Sequence, residues 1–119
     1  VINLDVQHHD EVLAATSHLP HMLAYALVDC LAGMQERDEI FKYAAGGFAD
    51  FTRIASSNPE MWHDICFSNR QALVRTLEIF STHINKIKVA IEKSESNELL
   101  ETFRRAKEVR DKFNKEKNH

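Results

Sequence analysis

Apolar residues recur at intervals of three and four along most of this chain, a spacing that predicts helices rather than strands. Leu73, Leu77, Phe80, Ile84, Ile87 and Ile91 form one seam within a long helix expected over residues 59–94. Leu99, Leu100, Phe103, Ala106, Val109 and Phe113 mark a second long helix. It follows the turn Ser94-Glu95-Ser96-Asn97 and is expected to pack antiparallel on the first. Near the N-terminus, His8-His9-Asp10-Glu11 opens a helix that Asp10 or His9 can cap, running to about Met34 with Gly33 at its close. Between Met22 and Cys30 this helix is apolar on nearly every face, so its middle is expected to be buried on all sides. A chain of 119 residues has little material for that cover, which points to a dimer whose subunits share a core. Pro20 lies inside the helix, removes a backbone donor and presses on residue 16, so a kink is expected.

Shorter helices are expected over residues 35–43 and 48–55, the latter with Phe48, Phe51, Ile54 and Ala55 inward. Ahead of the long helix, either Asn58 caps with Pro59 at the first position, or Ser57 and Glu60 form a capping box. The expected fold class is therefore all-α: about five helices, two of them long and antiparallel, plus a kinked, buried N-terminal helix. Residues 1–7 read as a linker arriving from elsewhere, residues 8–119 as the helical domain, and residues 114–119 as a polar fraying end.

Composition changes this picture little. Hydrophobic residues make up 44% and charged residues 28%, as in ordinary globular domains, and three glycines with two prolines are too few for a many-turned β protein. No apolar run is long enough to span a bilayer. Cys30 and Cys66 sit in apolar helical surroundings and read as small core residues rather than a disulfide, which suits a reducing cytoplasm. Charge is uneven: residues 1–60 hold nine acids against three Lys/Arg, and residues 61–119 hold nine against twelve. The basic excess lies mostly in the last helix, interleaved with glutamates, so a solvated face is expected and not a nucleic-acid interface.

Candidate chemistry gathers in two stretches. At about 100° per residue, Asp10, Ser17, His18, His21 and Tyr25 fall within roughly a 100° arc of the first helix. This places two imidazoles and a hydroxyl beside the expected kink. The histidines either line a binding surface there or are satisfied core or interface groups. The second stretch is Gly46-Gly47-Phe48-Ala49-Asp50-Phe51-Thr52-Arg53. Its glycines permit positive φ and close approach of a ligand or a helix, or simply cap and turn the preceding helix. Asp50 and Arg53, three apart, can pair and hold the guanidinium for bidentate recognition of a carboxylate, or form an exposed pair without function. Trp62, early in the next helix, either fills the core or belongs to the same pocket. The two stretches are expected to face one pocket for a small anion.

Other chemistries have no support. G-x-G-x-x-G, the P-loop, C-x-x-C, G-x-S-x-G and H-E-x-x-H are all absent. His18-x-x-His21 offers two metal positions on one helix face, but no third ligand stands at a metal-like spacing, and no metal site is expected. Cys66 lacks the histidine and acid that would make it a nucleophile.

Ser17-His18-Leu19-Pro20-His21, Ala24-Tyr25-Ala26-Leu27, Gly46 through Ala55, Pro59-Glu60-Met61-Trp62-His63-Asp64-Ile65 and Asn69 together resemble the C-terminal domain of bacterial prephenate dehydrogenases. These TyrA-type enzymes of tyrosine biosynthesis include arogenate and cyclohexadienyl dehydrogenases. The resemblance runs from about His9 to Arg110. It implies a missing N-terminal Rossmann domain that binds NAD or NADP and carries the catalytic histidine, so no catalytic residue and no cofactor site are expected in this chain. It also implies a helical domain that forms a homodimer and closes the active-site cleft. The reaction oxidises the ring hydroxyl of prephenate (or arogenate) by hydride transfer and expels CO₂; from prephenate it gives 4-hydroxyphenylpyruvate. By the same resemblance Arg53 binds a substrate carboxylate and His21 lines that pocket. Ser17, His18, Gly46, Gly47, Asp50 and Trp62 match its surroundings, and tyrosine is a candidate effector. His63 departs from the family, which often carries a basic residue before the aspartate. Two other readings compete: a stand-alone helical regulatory domain binding an aromatic amino acid, and a metal-dependent helical hydrolase.

Overall fold

The computed structural model describes residues 5–117, and Val6 through Lys117 are helical over most of their length. Among the described residues seven α-helices follow one another: α1 (Val6–Leu13), α2 (Leu19–Ala32), α3 (Arg37–Lys42), α4 (Gly46–Thr52), α5 (Pro59–Ser68), α6 (Arg70–Glu92) and α7 (Ser96–Lys117). No strand occurs among the described residues. The all-α expectation holds.

The first predicted helix exists, with a defect in its middle. Asp5, rather than Asp10 or His9, caps α1, its carboxylate accepting the Gln7 N–H at 3.3 Å. Val6 and Gln7 are already helical, so the expected linker is shorter by two residues at its end; the rest of it, apart from Asp5, lies outside the described residues. Between α1 and α2, Ala14–His18 form a π-helical turn, in which the Leu19 N–H bonds to the Ala14 carbonyl five residues back. Pro20 explains the site of the defect: it has no N–H to offer four residues back, and its ring crowds that carbonyl. The expected distortion therefore takes the form of a widened turn just ahead of the proline.

Two compact units, up to Glu78 and from Ile79, divide the chain, with α6 running through the boundary. In the first, α2 is the central element, packed by α3, α4 and a 3₁₀ turn at Arg53–Ser56. Among the described residues its buried hydrophobic side chains are few: Ala14, Ala24, Trp62, Ala72 and Leu73. Only Ala24 is buried in α2, while Met22, Leu23, Leu27 and Val28 are half-buried. The cover that this helix asks for is not supplied within one chain. Cys30 is exposed and Cys66 half-buried, so Cys30 is not the core residue expected; both are free thiols. Phe51 likewise points outward, at 48% exposure.

The long helix expected over residues 59–94 is broken at Asn69, whose φ of −123° and ψ of 38° leave the helical region. Asn58 caps α5, its side chain accepting the Met61 N–H at 2.9 Å, with Pro59 at the first position. An Arg75–Glu11 ion pair of 2.8 Å ties the start of α6 to α1. In the second unit, Ser94 closes α6 in the left-handed conformation at φ 54°. The Glu95 N–H bonds to the Ala90 carbonyl at 2.8 Å and the Ser94 N–H to that of Ile91 at 3.2 Å, a Schellman motif that reverses the chain into α7. An apolar cleft of about 430 Å³ between Ala90, Ile91, Leu99, Leu100 and Phe103 opens beside this turn. The seam of α6 stays half open: Ile84 and Ile91 are 50% and 61% exposed. Helix α7 continues to Lys117, beyond the expected fraying point.

Candidate functional site

Two of the sequence-predicted residues converge on the indole of a third. Trp62 is buried in α5, one turn after the Asn58 cap. The His21 ring stacks on it, with centroids 3.8 Å apart and planes 19° apart. The His18 ring meets its edge at 5.8 Å and 80°. Positions 18 and 21 are three apart in a helix, so both imidazoles project from the same side and straddle one aromatic partner. The Trp62 Nε1–H is buried and has no hydrogen-bond partner among the described residues.

The imidazoles are held differently. His21 Nδ1 donates to the Ser17 carbonyl at 2.8 Å, so Ser17 contributes through its backbone. His18 Nδ1 lies 3.2 Å from the Asn69 side-chain nitrogen, which also donates to the Asp10 carbonyl at 2.9 Å. Burial and the neighbouring His21 hold the His18 pKa below the usual 6.5, against a smaller opposing pull from Asp10. Asn69 belongs to the sequence motif, but its position at a break between two helices left no periodic signal of what its side chain does.

Arg53 comes from the other stretch, whose backbone packs on the same helix. The 3₁₀ turn Arg53–Ser56 packs on α2, the helix that carries His21. Tyr25 in the same helix pins the end of that turn, its hydroxyl donating to the Ser57 carbonyl at 2.8 Å. Arg53 is itself exposed. The expected Asp50–Arg53 ion pair is not formed: the two residues stand on different helix types, and the change at Thr52 (φ −89°, ψ −2°) breaks the i,i+3 register that pairing needs. Gly46 and Gly47 open α4 with negative φ, so neither serves as a positive-φ hinge; a Cβ at either would meet no atom within 4 Å. The structure thus groups His18, His21, Ser17 and Trp62, puts Arg53 on a turn braced against their helix, and leaves Asp50 solvent-exposed. Among the described residues no three His, Cys, Asp or Glu side chains gather as metal ligands.

Known proteins resemble this chain over most of its length. The prephenate dehydrogenase dimerization-domain family matches residues 5–105. A cyclohexadienyl dehydrogenase of Zymomonas mobilis is 42% identical over 112 residues, covering 92% of this chain and 38% of the relative. A prephenate dehydrogenase of Bacillus subtilis is 35% identical over 111 residues, 92% of this chain and 30% of its own. Among solved structures, prephenate dehydrogenase from A. aeolicus in complex with hydroxyphenyl propionate and NAD+ superposes with a TM-score of 0.86 at 39% identity, over 95% of this chain and 40% of that one. Arogenate dehydrogenase from Synechocystis does so with a TM-score of 0.84 at 28% identity, over 90% and 40%. The chain therefore spans between 30% and 40% of these relatives' length. With the family's match running over most of its length, the chain belongs to the prephenate dehydrogenase dimerization-domain family.

Proposed function

We propose that this chain is the C-terminal, substrate-pocket and dimerisation part of a prephenate (or arogenate) dehydrogenase. The complete enzyme oxidatively decarboxylates prephenate to 4-hydroxyphenylpyruvate in tyrosine biosynthesis, in the cytoplasm, and a separate N-terminal domain holds NAD or NADP and the catalytic histidine. The relatives are two to three times longer and their names carry this activity. The described residues of this chain are helical and offer no strand-turn-helix dinucleotide cradle, so they do not fit the cofactor themselves.

The observation that carries the reading is the imidazole pair straddling Trp62, on the helix against which the Arg53 turn is braced. Prephenate is a dianion, and a guanidinium is the natural anchor for one of its carboxylates; such a charge-assisted contact contributes roughly 1.5–3 kcal/mol. Gly46 and Gly47, with open space where side chains would stand, leave room for the ligand or the second domain to approach. Tyrosine also carries a carboxylate and a six-membered ring with a hydroxyl opposite its side chain, and is the candidate effector of this pocket.

The homodimer rests on exposed apolar surface. Ile84, Ile91, Phe103 and Phe113 are each at least 50% exposed on α6 and α7, and α2 is only half-covered. A second copy would bury both. The test is an assay of the dehydrogenase that contains this chain. Prephenate-dependent reduction of NAD(P) with release of CO₂ is expected, and none from the 119-residue chain alone. An intact protein that reduces no NAD(P) with prephenate or arogenate would overturn the reading.

A further inference from the structure

Asn69 sits between α5 and α6, where its own N–H bonds to the Ile65 carbonyl at 3.1 Å and its carbonyl accepts from the Leu73 N–H at 3.0 Å. The backbone of the break is thus satisfied locally, and the half-buried side chain is free to reach α1 and the π-helical turn. One atom, Nδ2, faces both the Asp10 carbonyl at 2.9 Å and His18 Nδ1 at 3.2 Å. A carbonyl oxygen only accepts, so the group facing Asp10 must be the amide NH₂ and not the amide oxygen. The same NH₂ then faces His18, and His18 Nδ1 must present a lone pair. In a neutral imidazole the proton is therefore on Nε2. Protonating His18 would set an N–H against an N–H, in line with the depressed basicity that burial and His21 give this ring.

His21 is fixed the opposite way. Its Nδ1 faces the Ser17 carbonyl at 2.8 Å and must be the donor, which leaves Nε2 bare in the neutral ring. Two histidines one helical turn apart are thus held in different tautomers by two different second partners. One offers an N–H to a ligand and the other a lone pair.

We propose that Asn69 is a positioning residue of the pocket: it holds the lone pair of His18 Nδ1 and so presents His18 to a carboxylate ligand as a neutral Nε2–H donor. The assignment rests on the pocket reading above for its ligand, but the tautomer itself does not. A neutral donor binds an anion without requiring a buried positive charge, which divides the work between His18 and the guanidinium of Arg53.

Long-range ¹H–¹⁵N correlation spectra of the ¹⁵N-histidine-labelled chain, recorded above pH 6.5 without ligand, read this directly. His18 is expected to show a protonated Nε2 and a pyridine-like Nδ1, and His21 the reverse. Asn69→Asp replaces the donor with an acceptor and should move the His18 proton to Nδ1 or convert the ring to imidazolium. If that variant does not fold, Asn69→Ala should turn the His18 pattern into an exchanging mixture. A wild-type His18 protonated at Nδ1, or a pattern unaltered by losing Asn69, overturns the proposal. The spectra contain no substrate, so their failure is distinct from failure of the dehydrogenase reading, which an unchanged KM in Arg53→Ala would signal.

Discussion

His21 stacks on Trp62 at 3.8 Å between centroids, while the indole N–H of Trp62 stays buried with no partner among the described residues. The ring face contributes packing and the ring edge a desolvation cost of about 1–3 kcal/mol. Trp62→Phe keeps an aromatic face under His21 and removes the unpaired donor; Trp62→Ala removes both. Urea unfolding should therefore give a loss of about 3–5 kcal/mol for Trp62→Ala and a much smaller change for Trp62→Phe. Equal losses in the two variants would mean that the indole N–H has a partner and that the stack contributes little.

His18 makes stability depend on pH. Its folded value lies below the 6.5 of an unperturbed histidine, so in the window between the two the unfolded chain binds more protons than the folded one. Stability should rise with pH through that window, be fully present above 6.5, and be lost as pH falls through the folded value. Asp10 and His21 face the same ring and act in opposite directions, with burial the larger cause. Because the chain has seven histidines, the comparison is with His18→Gln: its unfolding midpoint should vary less between about pH 5 and 7 than that of the wild type. An identical slope in both proteins would remove His18 as the source.

Ser94 holds the left-handed position of the turn between α6 and α7 at φ 54°. A side chain there is strained by about 1–2 kcal/mol, whereas glycine adopts the conformation freely and gives up part of that gain through unfolded-chain entropy. Ser94→Gly should raise stability by about 0.5–1 kcal/mol, seen as a higher urea midpoint with an unchanged slope. A lower midpoint would mean that the serine hydroxyl makes a contact worth more than the strain.

Helix content was legible because the apolar period is continuous and the punctuation is strong: Gly33 closes α2, and Asn58 with Pro59 opens α5. The break at Asn69 was not, since no glycine or proline marks it and the contacts its side chain makes with Asp10 and His18 are tertiary. Pro20 announced a distortion without specifying a π-helical turn ahead of it. The histidine strip followed from helical geometry, and its meeting with Trp62 was carried by the family resemblance. The Asp50–Arg53 pair failed because sequence spacing assumes one helix type across a junction where the type changes. Burial of α2 was over-read for one chain, since apolar patterning does not say whether the cover comes from the same chain or from another.

Under the proposed function, the Arg53 guanidinium anchors a substrate carboxylate. The most direct measurement is the steady-state KM for prephenate of the dehydrogenase carrying this chain, wild type against Arg53→Ala. Loss of a charge-assisted contact of about 1.5–3 kcal/mol predicts a KM raised roughly 10- to 150-fold, with the KM for NAD(P) unchanged. A KM for prephenate equal to that of the wild type would contradict the account.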